Sequence, residues 1–261
     1  MNTPSPATLA SIYRYPVKGL TPEPLPQVAL RPGQTLPADR AFAIENGPSG
    51  FDPAHPVWKA KTHYLMLMRN ERLAALRTQF DDTTQTLSIS ADGAELVRGD
   101  LGSVEGRAAI EAFFAARFAD ELRGPPKLLA GAGYSFSDVA MKVVSIINLA
   151  SVAALAQVIG KPVDPLRFRG NLYVGGWPAW HEFDLLGRTL SIGDARLKVV
   201  KRIVRCAATN VDPETAARDL AIPATLQRTY GHADLGVYAQ VIEGGTIAAG
   251  DAIESTQPAL L

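Results

Sequence analysis

The chain has 261 residues, 47% of them hydrophobic and 20% charged, with 26 basic and 26 acidic side chains and a formal net charge of zero. This composition excludes a disordered chain, and the charge balance supplies no global field for nucleic acid or an anionic membrane surface. The single cysteine, Cys206, excludes an intramolecular disulfide and a multi-cysteine zinc site and suits a reducing, cytoplasmic setting.

Residues 1–8 carry no basic segment followed by an apolar run, so no signal peptide is expected. From Leu9 to Tyr15, Leu9, Ser11, Tyr13 and Tyr15 alternate with Ala10, Ile12 and Arg14, which predicts a strand that Pro16 ends. The proline-rich residues 21–37 suit an edge strand and its loops. Ala41 to Glu45 is a short apolar strand, and Leu76–Phe80 with Thr86–Ser90 forms a hairpin around Asp81-Asp82-Thr83-Thr84. Glu105 to Ala119 is a helix, with Ile110, Phe113, Phe114 and Phe118 on one face.

Gly124-Pro125-Pro126 marks a boundary, dividing the chain into a smaller β-rich segment, 6–124, and a second segment, 125–256. Val143–Ile159 is apolar but interrupted by Ser145, Asn148, Ser151 and Gln157, and is too short to span a bilayer. Ser151 is expected to cap a helix running to Ile159, ended by Gly160 and Pro162. Strands are predicted at Leu172–Gly175, Thr189–Ile192 and Ala195–Arg205, with short helices and turns between Asp212 and Tyr230. Val237–Ile242 and Thr246–Ile253 read as a hairpin around Glu243-Gly244-Gly245. Many short strands with few helices predict a mainly β, α+β chain with a barrel-like core.

Cys206 follows Arg205 at the end of a strand, with Arg202 four residues back. Nearby guanidinium charge favours the thiolate, a soft metal ligand and a nucleophile. A buried small hydrophobe is the competing reading of the same residue. Lys18, Arg40, Arg167 and Arg169 sit beside turns, where cations converge on anions, while Asn148 and Ser151 lie at a helix start that also suits an anion. Taken singly, each reads as an ordinary surface charge or cap. The histidines His55, His63, His181 and His232 show no metal-ligand spacing, and no serine-hydrolase, dinucleotide or Walker pattern is present.

Together, Arg167-Phe168-Arg169-Gly170-Asn171-Leu172, Val199 to Cys206, Thr209-Asn210-Val211-Asp212-Pro213-Glu214-Thr215 and the ending around Gly236-Val237-Tyr238-Ala239 resemble the MOSC domain, the C-terminal domain of molybdenum cofactor sulfurase. Tyr15-Pro16-Val17-Lys18-Gly19 and Asp39-Arg40 resemble the β-barrel domain that often precedes it. Gly170 stands where the family usually has proline, and Gly19 where serine is common.

The resemblance implies a pyruvate-kinase-barrel-like MOSC fold with Cys206 as catalytic residue and as ligand to the molybdenum of a molybdopterin cofactor. It places Lys18, Gly19, Arg40, Arg167, Arg169, Asn171 and Arg205 around the cofactor, with Asn148 and Ser151 as looser matches. Similarity to the mitochondrial amidoxime-reducing component implies reduction of a small N-hydroxylated or N-oxide-like substrate, with electrons from a separate donor protein. Two alternatives stand beside it: a Cys206 persulfide loaded by a cysteine desulfurase for sulfur transfer, and a non-catalytic cofactor carrier. No pyridoxal phosphate is expected in this chain, nor a nucleic-acid or membrane partner.

Overall fold

The computed structural model describes residues 7–256; residues 1–6, where no leader segment was expected, lie outside them. Strands dominate. The first is β1 (Thr8–Arg14), followed by β2 (Glu23–Leu25), β3 (Gln27–Leu30) and β4 (Phe42–Ile44). Next come β5 (Arg77–Asp81), β6 (Thr86–Ala91) and β7 (Ala94–Asp100), which form one three-stranded antiparallel sheet. The helix α1 (Val104–Arg117) follows, capped by Ser103, whose side chain accepts from the Gly106 N–H at 2.9 Å. Ile110, Phe114 and Phe118 are completely buried from this helix and its C-cap, as the spacing predicts. They pack in a core with Leu73, Leu87 and Ile89.

The second half begins with β8 (Leu128–Ala130), which pairs with β4. It continues through β9 (Val144–Asn148), α2 (Leu149–Ile159), β10 (Leu172–Gly175), β11 (Thr189–Ile192) and β12 (Ala195–Val204). It ends with α3 (Ile222–Tyr230), β13 (Asp234–Glu243), β14 (Gly245–Ala248) and β15 (Ile253–Thr256). The chain is thus mainly β with three α-helices among the described residues, the α+β class expected.

An eight-stranded sheet organises this half in the order β15-β11-β12-β13-β9-β10-β1-β2. It curls as a half-barrel around Leu9, Ile12, Val144, Ile146, Leu172, Leu197, Val199 and Val237. Only the β9–β10 pair is parallel among the named pairs, and α2 makes the crossover between those strands. The sheet also crosses the 124/125 sequence boundary, because β1 and β2 come from the first segment.

The structure corrects four local expectations. Strict alternation does not hold in β1: a register shift between Leu9 and Ser11 turns both Leu9 and Ile12 into the core. Ser151 is not the cap of α2. Asn148 is, its side chain accepting from the Ala150 N–H at 3.0 Å, while Ser151 is buried in the first turns. The predicted C-terminal hairpin does not form, since β14 pairs with β3 and β15 with β11. Finally, β7 completes a third strand beyond the predicted hairpin of β5 and β6.

Candidate functional site

The cavity of interest, about 310 Å³, opens where the turn after β1, the loop before β4, the turn before β10 and the end of β12 converge. Lys18, Gly19, Arg40, Arg167, Arg169, Asn171, Arg205 and Cys206 all line it, so eight of the ten residues singled out in the sequence meet here. Asn148 and Ser151 do not. Both are buried away from the cavity and donate to the Glu182 carboxylate, each at 2.8 Å.

Local chemistry explains each position. Pro16 ends the β1 pairing, and its carbonyl accepts from the Phe42 N–H at 3.0 Å, laying the turn against β4. Gly19 then turns at φ +86°, where a Cβ would stand 3.0 Å from the Leu65 carbonyl oxygen. This buries Lys18, whose Nζ donates to the Phe136 carbonyl at 2.8 Å and to Asp138 Oδ1 at 2.5 Å. Burial lowers the Lys18 pKa, and Asp138 restores part of it.

In the cavity lining, Arg40 and Arg169 both stack on the Tyr15 ring, their guanidinium carbons 4.5 and 4.3 Å from its centroid. Asp39 holds this arrangement: Oδ1 accepts from the Tyr15 N–H at 2.9 Å and Oδ2 from Arg40 Nη1 at 2.5 Å. Arg40 also donates to the Arg169 carbonyl at 2.9 Å. Arg169 closes a 3-10 turn in the left-handed region, φ +50°. Gly170 follows it where a Cβ would stand 2.3 Å from Ile147 Cγ1, so no larger residue fits beside Ile147 as placed. Arg169 Nη2 is buried with no hydrogen-bond partner. Burial pulls the Arg169 pKa down to about 10, and the neighbouring Arg40 charge adds to the fall.

Cys206 also lines the cavity and is partly exposed. It lies two residues beyond β12, and its carbonyl accepts from the Thr209 N–H at 3.1 Å and hydroxyl at 2.9 Å. The expected guanidinium neighbours are engaged elsewhere. Arg205 donates to the carbonyls of Leu235 and Phe168, and Arg202 lies over the Phe183 ring at 4.2 Å. The cation that touches the sulfur is Lys61, with Nζ 3.2 Å from Sγ and 3.1 Å from Asp138 Oδ2. Burial works against the Lys61 charge, but Asp138 and then Cys206 outweigh it and its pKa is raised. Asp138 is shared by Lys18 and Lys61. Burial alone would raise its pKa, yet the two ammonium groups hold it well below the usual carboxylate range.

Arg167 and Asn171 line the cavity but serve the scaffold. Arg167 bonds Asp212 at 2.7 Å and Asp219 at 2.8 Å, tying the turn before β10 to the loop after Cys206. Asp212 Oδ1 meanwhile accepts from the N–H groups of Glu214 and Thr215, which is the work of the Asp-Pro-Glu-Thr sequence. Asn171 accepts from the Ser145 N–H and hydroxyl and donates to the Tyr13 carbonyl, joining β9 to β1. Lys61 and Asp138 escaped the sequence reading. A lysine in an irregular segment and an aspartate in a glycine-rich loop carry no spacing signal, and only the fold brings them to the sulfur.

The chemistry on offer is that of an anion and a soft metal. A buried guanidinium nitrogen without a hydrogen-bond partner calls for an anionic oxygen, and Cys206 is the one thiol. Among the described residues no group of three or more His, Cys, Asp or Glu side chains could hold a metal. No helix among the described residues is long and apolar enough to cross a membrane.

Two family models match the chain: the MOSC N-terminal beta barrel domain over residues 6–118 and the MOSC domain over residues 132–254. No curated protein matches it. Among solved structures, the YUAD protein from Bacillus subtilis aligns over 95% of this chain and 94% of its own, with 14% identity and a TM-score of 0.45. YiiM from Geobacillus stearothermophilus aligns over 44% of this chain and 54% of its own, with 18% identity and a TM-score of 0.36. YiiM from Escherichia coli covers the same shares with 20% identity and a TM-score of 0.35. The alignment thus spans about half the length of the YiiM chains.

Proposed function

The chain belongs to the MOSC proteins, an N-terminal beta barrel domain followed by a MOSC domain, and from that premise we propose that its cavity binds a molybdenum cofactor and reduces N-hydroxylated or N-oxide-like compounds. The observation that carries the reading is the pairing, in one cavity, of the lone thiol with an arginine whose buried Nη2 has no hydrogen-bond partner.

Arg40 and Arg169 would hold the cofactor phosphate, and Cys206 would ligate the metal. When bound, the cofactor supplies two-electron redox chemistry beside the sulfur. The chain's own residues do the rest. Lys61 donates to Sγ and fixes its direction, and Asp138 fixes Lys61. Arg205, braced on two backbone carbonyls, places a positive charge behind Cys206. Reduction of an N–OH group takes up two electrons and two protons and releases water. A separate donor protein would supply the electrons.

The test is metal and pterin analysis of protein from a molybdenum-replete host, with an amidoxime and a reduced viologen as assay. Stoichiometric molybdenum with turnover, both lost in Cys206→Ala, supports the reading. Bound pterin without turnover leaves a carrier. A mass increase of about 32 Da on Cys206 after incubation with a cysteine desulfurase, without molybdenum, replaces reduction by sulfur transfer.

A further inference from the structure

Resting on that reading for its chemistry, we propose that the cavity selects substrates carrying an anionic group on an apolar body, and that Lys201 reads the charge. Lys201 pairs with Tyr238 across β12 and β13. Residues directly opposite one another in an antiparallel pair share a face. Lys201 and Tyr238 both line the cavity, which places that face toward it. Lys201 lines the cavity and is exposed, with no hydrogen bond or ion pair among the described residues.

The balance of charge along the cavity lining is unequal. Lys18 and Lys61 share the single carboxylate of Asp138, and nothing offsets Lys201. The Arg40–Arg169 pair that would take the cofactor phosphate sits on Tyr15 and comes from other elements, so the phosphate does not account for Lys201. A cleft with an uncompensated charge of one sign concentrates ligands of the opposite sign. The same mouth is lined by apolar surface: Val204 is 68% exposed, and Met68 and Val139 join it. A charge beside an apolar lip selects an amphipathic anion over a neutral compound of the same size.

The probes are benzamidoxime and its 4-carboxylate, bound to the purified chain in low salt and followed by calorimetry. The carboxylate is expected to bind about fivefold more tightly, as one partly exposed ion pair gives. Higher ionic strength closes the gap. In Lys201→Ala the ratio falls below about twofold, whereas Lys161→Ala, at an exposed lysine beyond α2, keeps it. Equal binding of the two probes, or a gap that survives Lys201→Ala, overturns the proposal. Turnover of the same pair separates it from the reductase reading. A binding gap without turnover of either compound leaves the subsite standing and removes reduction. Turnover of both with no gap does the reverse.

Discussion

Two polar clusters lie close in the sequence and opposite in character. Around Glu182, which is fully buried, every group is matched: its carboxylate accepts from Asn148 and Ser151 at 2.8 Å and from the Gly236 N–H at 3.4 Å. Ser151 in turn accepts from the Trp180 N–H at 2.8 Å, and Asn148 donates also to the Pro178 carbonyl at 2.7 Å. In the cavity, Arg169 keeps an unmatched buried Nη2 beside a second guanidinium. Satisfied polar groups rigidify a fold, whereas an unsatisfied one stores affinity for something else. Residue type alone does not separate these cases, since asparagine, serine and arginine at turns all looked like anion ligands in the sequence.

The largest effect that can break this contrast comes from Cys206. Cys206→Ser is expected to abolish metal retention and turnover, a fall of more than about a hundredfold, with thermal unfolding little changed. Retained molybdenum and activity in this variant would remove the cavity from the chemistry. On the scaffold side, Glu182→Ala leaves the Asn148 and Ser151 donors buried and unmatched and should cost about 3 kcal/mol in urea denaturation. A cost below about 1 kcal/mol would mean that the cluster is not structural.

Arg169 sharpens the same contrast. Asparagine tolerates the left-handed backbone at this position, so Arg169→Asn tests the guanidinium without adding strain. Binding of a pterin phosphate should weaken by about thirtyfold, the loss of a charge-assisted hydrogen bond. Thermal stability should hold or rise, because a like charge beside Arg40 is gone. If the variant unfolds instead, Arg169 is scaffold, as Glu182 is. Asn148→Ala should show a smaller cost of about 1 kcal/mol through loss of the α2 cap, visible as a lower melting temperature.

These cases also mark how far the sequence could be read. The apolar face of α1 was legible, because Ile110, Phe114 and Phe118 repeat at helical spacing and the repeat is a local property. So was the gathering of Lys18, Arg40, Arg169 and Cys206, through the family resemblance. The partners of β14 and β15 were not, since pairing with β3 and β11 depends on a distant register rather than on the glycine turn between β13 and β14. The role of Asn148 and Ser151 was hidden for a similar reason. Their acceptor, Glu182, lies 34 and 31 residues away and faces them only once the 3-10 turn His181–Phe183 folds back on the start of α2. Lys61 reaches Cys206 across 145 residues, a separation at which no spacing rule applies.

The smallest effect concerns Asp138, which belongs to neither extreme: it is matched by two lysines yet its side chain is 44% exposed at the cavity. Its folded-state pKa lies below the unfolded value, as Lys18 and Lys61 overcome the opposing effect of burial. Above about pH 5 the carboxylate is almost fully ionised in both states and its contribution to stability is complete. As pH falls below that, the unfolded chain takes up a proton that the folded chain refuses, and the contribution is lost progressively toward the folded-state value. Asp138→Asn should therefore lower stability at neutral pH and flatten the acid limb of a melting-temperature profile, the two curves converging at low pH. Solvent screening of the exposed carboxylate keeps the difference small. The same variant leaves the buried Lys18 ammonium without its counter-charge, so the Lys18 pKa should fall further below the usual lysine value. Parallel profiles for the two proteins from neutral pH into acid would mean that Asp138 is held by solvent rather than by the two ammonium groups, and would place the carboxylate among ordinary surface charges.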